Sequence, residues 1–385
     1  MSTTDGLHYF DYAATTPADP QVIEAMMGCL GLSGVFGNPA SSSHAAGAKA
    51  RQRVEQSRKQ VADLIGAAPD EIIWTSGATE SNNLALKGYA DAATQKRHLI
   101  TSRIEHKAIL DTAASLERRG MAVTYLDPTR DGEITVDAVR AALREDTGIV
   151  SLMLVNNELG TLTDIAAISR VVHAAGAILH VDAAQALGKT PIDVDALGID
   201  LMSMSAHKVY GPKGIGALYV RREAAALIEP QMHGGGHERG LRSGTLATHQ
   251  IVGMGTACEL ARSLIAADSE RIAQLSARFL DGVRALEGVK HNASAARRIP
   301  HTLSITIGLT GFFTFMLAGD LAVSSTSACN SAAGTPSHVL RAIGLDDDAA
   351  SRTIRLSLGR FTTKEDVDYA IACLHDTVEQ CRAMA

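Results

Sequence analysis

Long apolar runs are missing from this 385-residue chain: stretches such as Phe312 to Val323 are far shorter than a spanning helix, and Asp320 interrupts that one, so no membrane segment is expected. A basic surplus is missing too. Lys and Arg total 36 against 42 Asp and Glu, for a formal net charge of -6, which argues against a broad electrostatic footprint for nucleic acid. The N-terminus, MSTTDGLHYFDYAATTP, has no basic region leading into an apolar run and carries Asp5, so no export signal is expected. Cys29, Cys258, Cys329, Cys373 and Cys381 follow no metal or disulfide spacing, a usage that fits a reducing cytoplasm. Repeats, low-complexity linkers and charged tails are also absent.

What is there is ordinary globular material, 46% hydrophobic and 20% charged with 34 Gly, long enough for two domains. Short β-branched runs alternate with amphipathic stretches through the first two-thirds, the pattern of a mostly parallel sheet covered by helices. The expected strands are Ile72 to Thr75, His98 to Thr101, Ala122 to Tyr125, Ile149 to Val155, Ala177 to Val181, Leu201 to Ser205 and Ile215 to Val220. Gly66, Gly120 and Gly176 stand where helices should stop. Ile251 to Leu286 reads as one long helical region, and the remainder as a smaller α+β unit, with a junction near Ala261. Thr362-Thr363-Lys364-Glu365 has the form of a capping box, which places the start of the last helix near Thr363.

Four segments carry chemistry. Thr75-Ser76-Gly77-Ala78-Thr79-Glu80 follows a strand and opens a helix, where free main-chain N–H groups favour an anion such as phosphate; taken alone it reads more readily as a Ser/Thr cap. Ile178 to Gln185 is an apolar strand ending in Asp182, and carboxyl ends of strands line the ligand crevice of open α/β sheets. There Asp182 could face a heterocyclic N–H⁺ or cap a helix. Ser203 to Gly214 places Lys208 between small hydroxyl residues and a glycine turn. A lysine amine is nucleophilic only when neutral, and a cationic or apolar site favours that form, although a lone lysine defaults to a solvated surface residue. Ser324 to Gly334 is a run of small polar residues around Cys329, which is expected to be accessible and mobile; the other four cysteines lie in helical patterns and read as packing.

Together these segments resemble the cysteine desulfurases of the iron–sulfur cluster assembly type, in the class V group of fold-type I pyridoxal-phosphate enzymes. The resemblance runs nearly end to end, through Asp11 to Pro17, Phe36 to Ser41, Thr75 to Asn83, Glu105-His106-Lys107, Val155 to Glu158, Ser205 to Gly216, His233 to Gly240, Arg242 to Thr245, the Cys329 loop and Ile354 to Phe361. It implies an α/β fold with a mostly parallel seven-stranded sheet in a large domain, residues 16–261. A smaller α+β domain, residues 1–15 and 262–385, would carry the cysteine loop at about 324–336. By the same resemblance Lys208 would hold pyridoxal 5'-phosphate as a Schiff base, Asp182 would pair with the pyridine nitrogen, and Gln185 and Asn157 would contact the ring oxygen. His106 would stack on the ring and assist proton transfers. The phosphate would be held by the Ala78 backbone, Thr79, Ser205 and His207, with Thr245 reaching across from the second protomer of a homodimer. Arg355, with Asn157, would bind the substrate, its fork suiting a carboxylate.

The implied reaction converts L-cysteine to L-alanine, leaving a persulfide on Cys329 for sulfur acceptors such as a cluster scaffold or sulfur carrier, for iron–sulfur assembly or thiolation. A selenocysteine lyase, another lyase or aminotransferase on a small amino acid, and a non-catalytic partner in sulfur transfer are the alternatives. His233 and His237 suggest a metal site only weakly, because a glycine loop supplies no third ligand. Relatives commonly carry an acidic, glycine-containing stretch where this chain has Thr310-Gly311-Phe312-Phe313-Thr314-Phe315-Met316. Extra core packing is the favoured reading of it, ahead of an altered pocket edge or partner surface. Relatives also often have a further C-terminal segment that docks the scaffold, whereas this sequence ends at Ala385, so the sulfur-releasing step is the firmer expectation.

Overall fold

The computed structural model describes residues 6–309, 312, 314–317, 319–325 and 336–384. The first strand, β1 (His8–Tyr9), pairs in parallel with a late one, β11 (Leu321–Ala322). Between them β2 (Ile72–Thr75), β3 (His98–Ser102), β4 (Ala122–Leu126), β5 (Thr147–Met153), β6 (Ile178–Asp182), β7 (Leu201–Ser205) and β8 (Gly216–Val220) form a seven-stranded sheet in the order β2-β8-β7-β6-β5-β3-β4. Only β8 runs against its neighbours. Each expected strand is present. β5 begins two residues earlier than its apolar run suggests and ends at Met153, while β6 is shifted on to include Asp182.

The helices are α1 (Pro20–Met27), α2 (Ala45–Ile65), α3 (Ala78–Ala92), α4 (Lys107–Arg118), α5 (Val136–Ala142), α6 (Ile165–Ala174), α7 (Val194–Leu197), α8 (Thr248–Val283), α9 (His338–Ala342), α10 (Asp347–Ser351) and α11 (Lys364–Met384). Gly66 ends α2 in the left-handed conformation. Gly120 and Gly176 have positive φ one residue past the C-caps Arg119 and Ala175 of α4 and α6, as their positions predict. At α11 the cap falls one residue later than the sequence pattern: the Thr363 hydroxyl accepts from the Asp366 N–H while the Asp366 carboxylate accepts from the Thr363 N–H. Thr362 is used elsewhere, its hydroxyl accepting from the Gly359 N–H.

A second sheet has the order β12-β13-β10-β9, from β9 (Val289–His291), β10 (Thr302–Ile307), β12 (Ser324–Ser325) and β13 (Thr353–Ser357). The 36-residue α8 serves both units. Its Ile251, Met254, Ala257, Cys258 and Ala261 join the apolar cluster beneath the large sheet, whereas Ile272, Leu275, Phe279 and Val283 join a cluster with β10, β13 and α11. Val339, Leu340, Ile343 and Ala350, from α9 and α10, pack into the first cluster, so the segment after the cysteine loop leans on the large sheet. Phe312 is buried in the second cluster, which supports core packing as its role; Phe313 and the Phe315 side chain lie outside the described residues.

Candidate active site

The carboxyl ends of β5, β6 and β7 and the N-terminus of α3 surround a cleft of about 520 Å³. Parallel strands point the same end of each backbone at one edge, so loops far apart in sequence meet there. Ala78, Thr79, Ser205 and His207 line it together with His106, Asn157, Asp182, Gln185 and Lys208, so the residues expected for ring and phosphate, Thr245 apart, share one cavity. Ser76, Lys213 and Thr15 line it as well and were not singled out from the sequence.

The α3 terminus is built for an anion. Its N-cap is Gly77, which supplies no side-chain cap, so the Ser/Thr capping alternative does not apply. Thr75 instead turns its hydroxyl to Ser81, 2.8 Å away. Gly77 has φ 152°, a conformation other residues rarely adopt, and its missing Cβ would point towards the Ser205 hydroxyl at 4.0 Å. Gly216, on the neighbouring strand, needs the same economy: a Cβ there would come within 2.6 Å of Gly77 Cα. Glu80 in the first turn is neutralised by Arg242, 2.8 Å away. Burial alone would raise the Glu80 carboxyl, but Arg242 and the Ser76 N–H outweigh it and hold it below its ordinary value. An uncapped helix end, a hydroxyl and an imidazole around an empty-walled glycine turn fit a phosphate.

Asp182 ends β6, is 5% exposed, and starts no helix, so the helix-cap alternative for it also falls. Its carboxylate accepts from Asn82 Nδ2 at 2.8 Å and from the Ala184 N–H at 2.9 Å, which fix its direction. Lys208 closes a single 3-10 turn, Ala206–Lys208, directly after β7. His207 is pushed down to about 4 by burial and by Lys208, Lys213 and Lys189, so it is a neutral hydrogen-bond donor near pH 7. His106 caps α4 and opens on the cleft. Desolvation by the surrounding walls lowers its pKa, with Asp182 opposing, so it too is a base near neutrality.

Arg355 stands behind this wall. Nη2 meets Asp11 Oδ1 at 2.9 Å and Nη1 donates to the Asn157 carbonyl at 3.0 Å, while Nε is buried without a partner. Asn157 Oδ1 is likewise buried and unpartnered, an acceptor left open beside the cleft. Thr245 is exposed and does not line the cleft of its own chain. Cys329 lies outside the described residues. Cys258 and Cys381 are buried, as packing residues should be, and burial pushes Cys258 up to about 12; Cys29 is also buried but sits just past the end of α1, not within it. Among the described residues no group of three or more His, Cys, Asp or Glu is placed to hold a metal, and no helix is long and apolar enough to cross a membrane.

Sequence reasoning missed the residues that hold these groups in place. Asn82 clamps Asp182. Glu105, fully buried next to His106, accepts from the Ser102 hydroxyl and the Met153 N–H, and its carbonyl oxygen is the partner of His338 Nε2. Their polarity inside a buried run was the available signal.

Residues 8–370 match the aminotransferase class-V family. The chain is 57% identical over 379 residues, 98% of its length and 94% of the relative's, to cysteine desulfurase IscS of Azotobacter vinelandii, and 56% identical with the same coverage to that of Pseudomonas fluorescens. A solved structure of SspA in complex with cysteine superposes with a TM-score of 0.83 at 42% identity, over 92% of this chain and 99% of that one. A NifS-like protein superposes with a TM-score of 0.86 at 35% identity, over 98% and 99%. The chain therefore belongs to the class V aminotransferase family, among its pyridoxal-phosphate-dependent cysteine desulfurases.

Proposed function

We propose that this chain converts L-cysteine to L-alanine and carries the released sulfur as a persulfide on Cys329. The observation that supports this most is the meeting of Lys208, Asp182 and His106 in one cleft with an uncapped helix end. When bound, pyridoxal phosphate supplies an electron sink that stabilises negative charge at the amino acid's α-carbon. Ala78 N–H, Thr79, Ser205 and His207 would hold its phosphate, and Asp182, fixed by Asn82, would face its ring nitrogen. Lys208 would hold it through its aldehyde carbon, and its amine would move the substrate α-proton as a general base, a contribution of about 10²- to 10⁴-fold.

Arg355 would share its guanidinium between Asp11 and the substrate carboxylate. His106, neutral near pH 7, would accept the Cys329 thiol proton. The thiolate then attacks the substrate sulfur: the S–S bond forms, the C–S bond breaks, and its electron pair stays on the carbon side until protonation gives alanine. An acceptor thiol or reductant removes the outer sulfur. The exposed Thr245 supports a homodimer in which it completes the second protomer's phosphate site. The split of the apolar clusters along α8 supports a large domain of residues 16–261 and a small one of 1–15 and 262–385, with Ala293, Ile299, α9 and α10 of the latter packed into the large-sheet cluster. The acceptor in this reading is a cluster scaffold or sulfur carrier, and the compartment the cytoplasm.

The test is incubation of the loaded protein with L-cysteine and dithiothreitol. Alanine and sulfide should appear together, and without reductant the Cys329 peptide should be one sulfur atom heavier. Sulfide release at the wild-type rate by Cys329→Ala, or a requirement for a keto acid, would sink this assignment.

A further inference from the structure

Behind the cleft lies a lysine that the reaction above does not use. Lys189 is 8% exposed, and its Nζ donates to Gln185 Oε1 at 2.7 Å. Gln185 is 4% exposed, lines the cleft, and donates from Nε2 to the Ala13 carbonyl at 2.7 Å. Among the described residues Lys189 makes no ion pair. The charged and titratable groups acting on it or feeling it are Lys208, Arg355, His207 and His301, all of them bases. Burial first, and then Lys208 and Arg355, push its pKa down to about 7. Protonated or not, its nitrogen still carries N–H donors for Gln185.

A primary amide has one oxygen and two N–H donors. Turned over, the Gln185 amide would put its oxygen against the Ala13 carbonyl, a mismatch at any pH, and its NH₂ against the Lys189 amine, a second mismatch while that amine is protonated. Lys189 and Ala13 therefore enforce a single orientation, in which the amide oxygen and one N–H are both taken. The second N–H is what remains for the cleft. A buried amine with one neutral partner is costly, and an apolar side chain would fill the same volume more cheaply if packing were the only purpose.

We propose that Lys189 is a positioning residue: by occupying the amide oxygen of Gln185 it makes Gln185 a donor towards the cleft, so that the ring oxygen of the bound cofactor is held as an unprotonated acceptor. This rests on the proposed function, since it needs pyridoxal phosphate in the cleft. Donation to that oxygen withdraws charge from the ring and makes the neighbouring lysine-bound nitrogen easier to deprotonate. Losing the donor should make that proton harder to remove.

The measurement is the pH midpoint at which the visible band of the loaded protein changes, titrated between about pH 6 and about pH 10. In Lys189→Met the midpoint should rise by about one pH unit, a tenfold change in proton affinity, while Lys189→Arg, which keeps a donor, should stay closer to wild type. In a Gln185→Leu background Lys189→Met should add less than about a threefold change, because its effect acts through the amide. Should Lys189→Met not fold, Gln185→Glu serves instead. It gives Lys189 an anionic partner but removes the donor, and its midpoint should also rise. An unchanged midpoint in loaded Lys189→Met, or in Gln185→Glu, overturns the proposal. A wild-type protein with no visible band would instead overturn the cofactor reading on which it stands.

Discussion

Two buried clusters of charge in this molecule are built to opposite rules. Arg58, inside α2, meets Glu238 in a two-pronged pair, Nη1 to Oε2 at 2.7 Å and Nη2 to Oε1 at 2.9 Å. Arg58 also donates to the Ile72 carbonyl, and Glu238 accepts from the Trp74 N–H. Each charge there is answered, although Trp74 Nε1 is left without a partner. In and just behind the cleft the matching is looser: among the described residues Lys189 has only the neutral Gln185 amide, Arg355 meets Asp11 through one arm, and Asn157 Oδ1, Asn82 Oδ1 and Arg355 Nε have no partner. A closed cluster holds backbone. Glu238 and Arg239 have φ of 48° and 56°, unusual for residues other than glycine, and the ion pair pins that strained turn ahead of Thr245. An open cluster favours an anionic ligand over further packing.

Substitution separates the two clusters most clearly. Lys208→Ala should lower desulfurase activity by about a thousandfold or more, read as sulfide release, with little change in thermal midpoint. Glu238→Ala should do the opposite. It leaves the buried Arg58 with only the exposed Glu55 as anionic partner and should cost about 3 kcal/mol in urea unfolding, while turnover per loaded, folded protein stays within about threefold.

Protonation sharpens the contrast further. Burial holds His180, between the hydroxyls of Ser151 and Ser203, down at about 4. The unfolded chain, with histidine near 6.5, binds the extra proton first. Unfolding free energy should therefore be full above about pH 6.5 and fall as pH drops towards 4, and His180→Gln should flatten that slope. Glu105 titrates in the opposite sense, pushed up to about 8 chiefly by burial. Its folded form keeps a proton that the unfolded form releases, so its contribution is full below about 4.5 and is lost as pH rises through 8. Glu105→Gln should remove that decline in urea titrations between about pH 5 and about pH 8.

Much of this was legible in the chain because local patterns coincide with tertiary ones. The strand ending in Asp182 and the small residues around Lys208 announce a crevice edge by themselves, and the β-branched runs fix the large sheet. Where two adjacent threonines can both cap, at Thr362 and Thr363, the pattern slips by a residue, since the choice depends on which hydroxyl Gly359 takes. Residues acting through contacts distant in sequence were invisible: Asn82 is 100 positions from Asp182, and the Arg355 partner Asp11 is 344 away. Lys189 reads as surface until the fold encloses it. The placement of α9 and α10 against the large sheet depends on packing that no single segment encodes.

Lys189, Lys208 and Lys213 all stand within or just behind the cleft, and one of these amines is to hold the cofactor. Borohydride reduction of the loaded protein followed by peptide mapping decides among them. The pyridoxyl group should be found on Lys208; its appearance on Lys189 or Lys213, or on no lysine, would contradict the account.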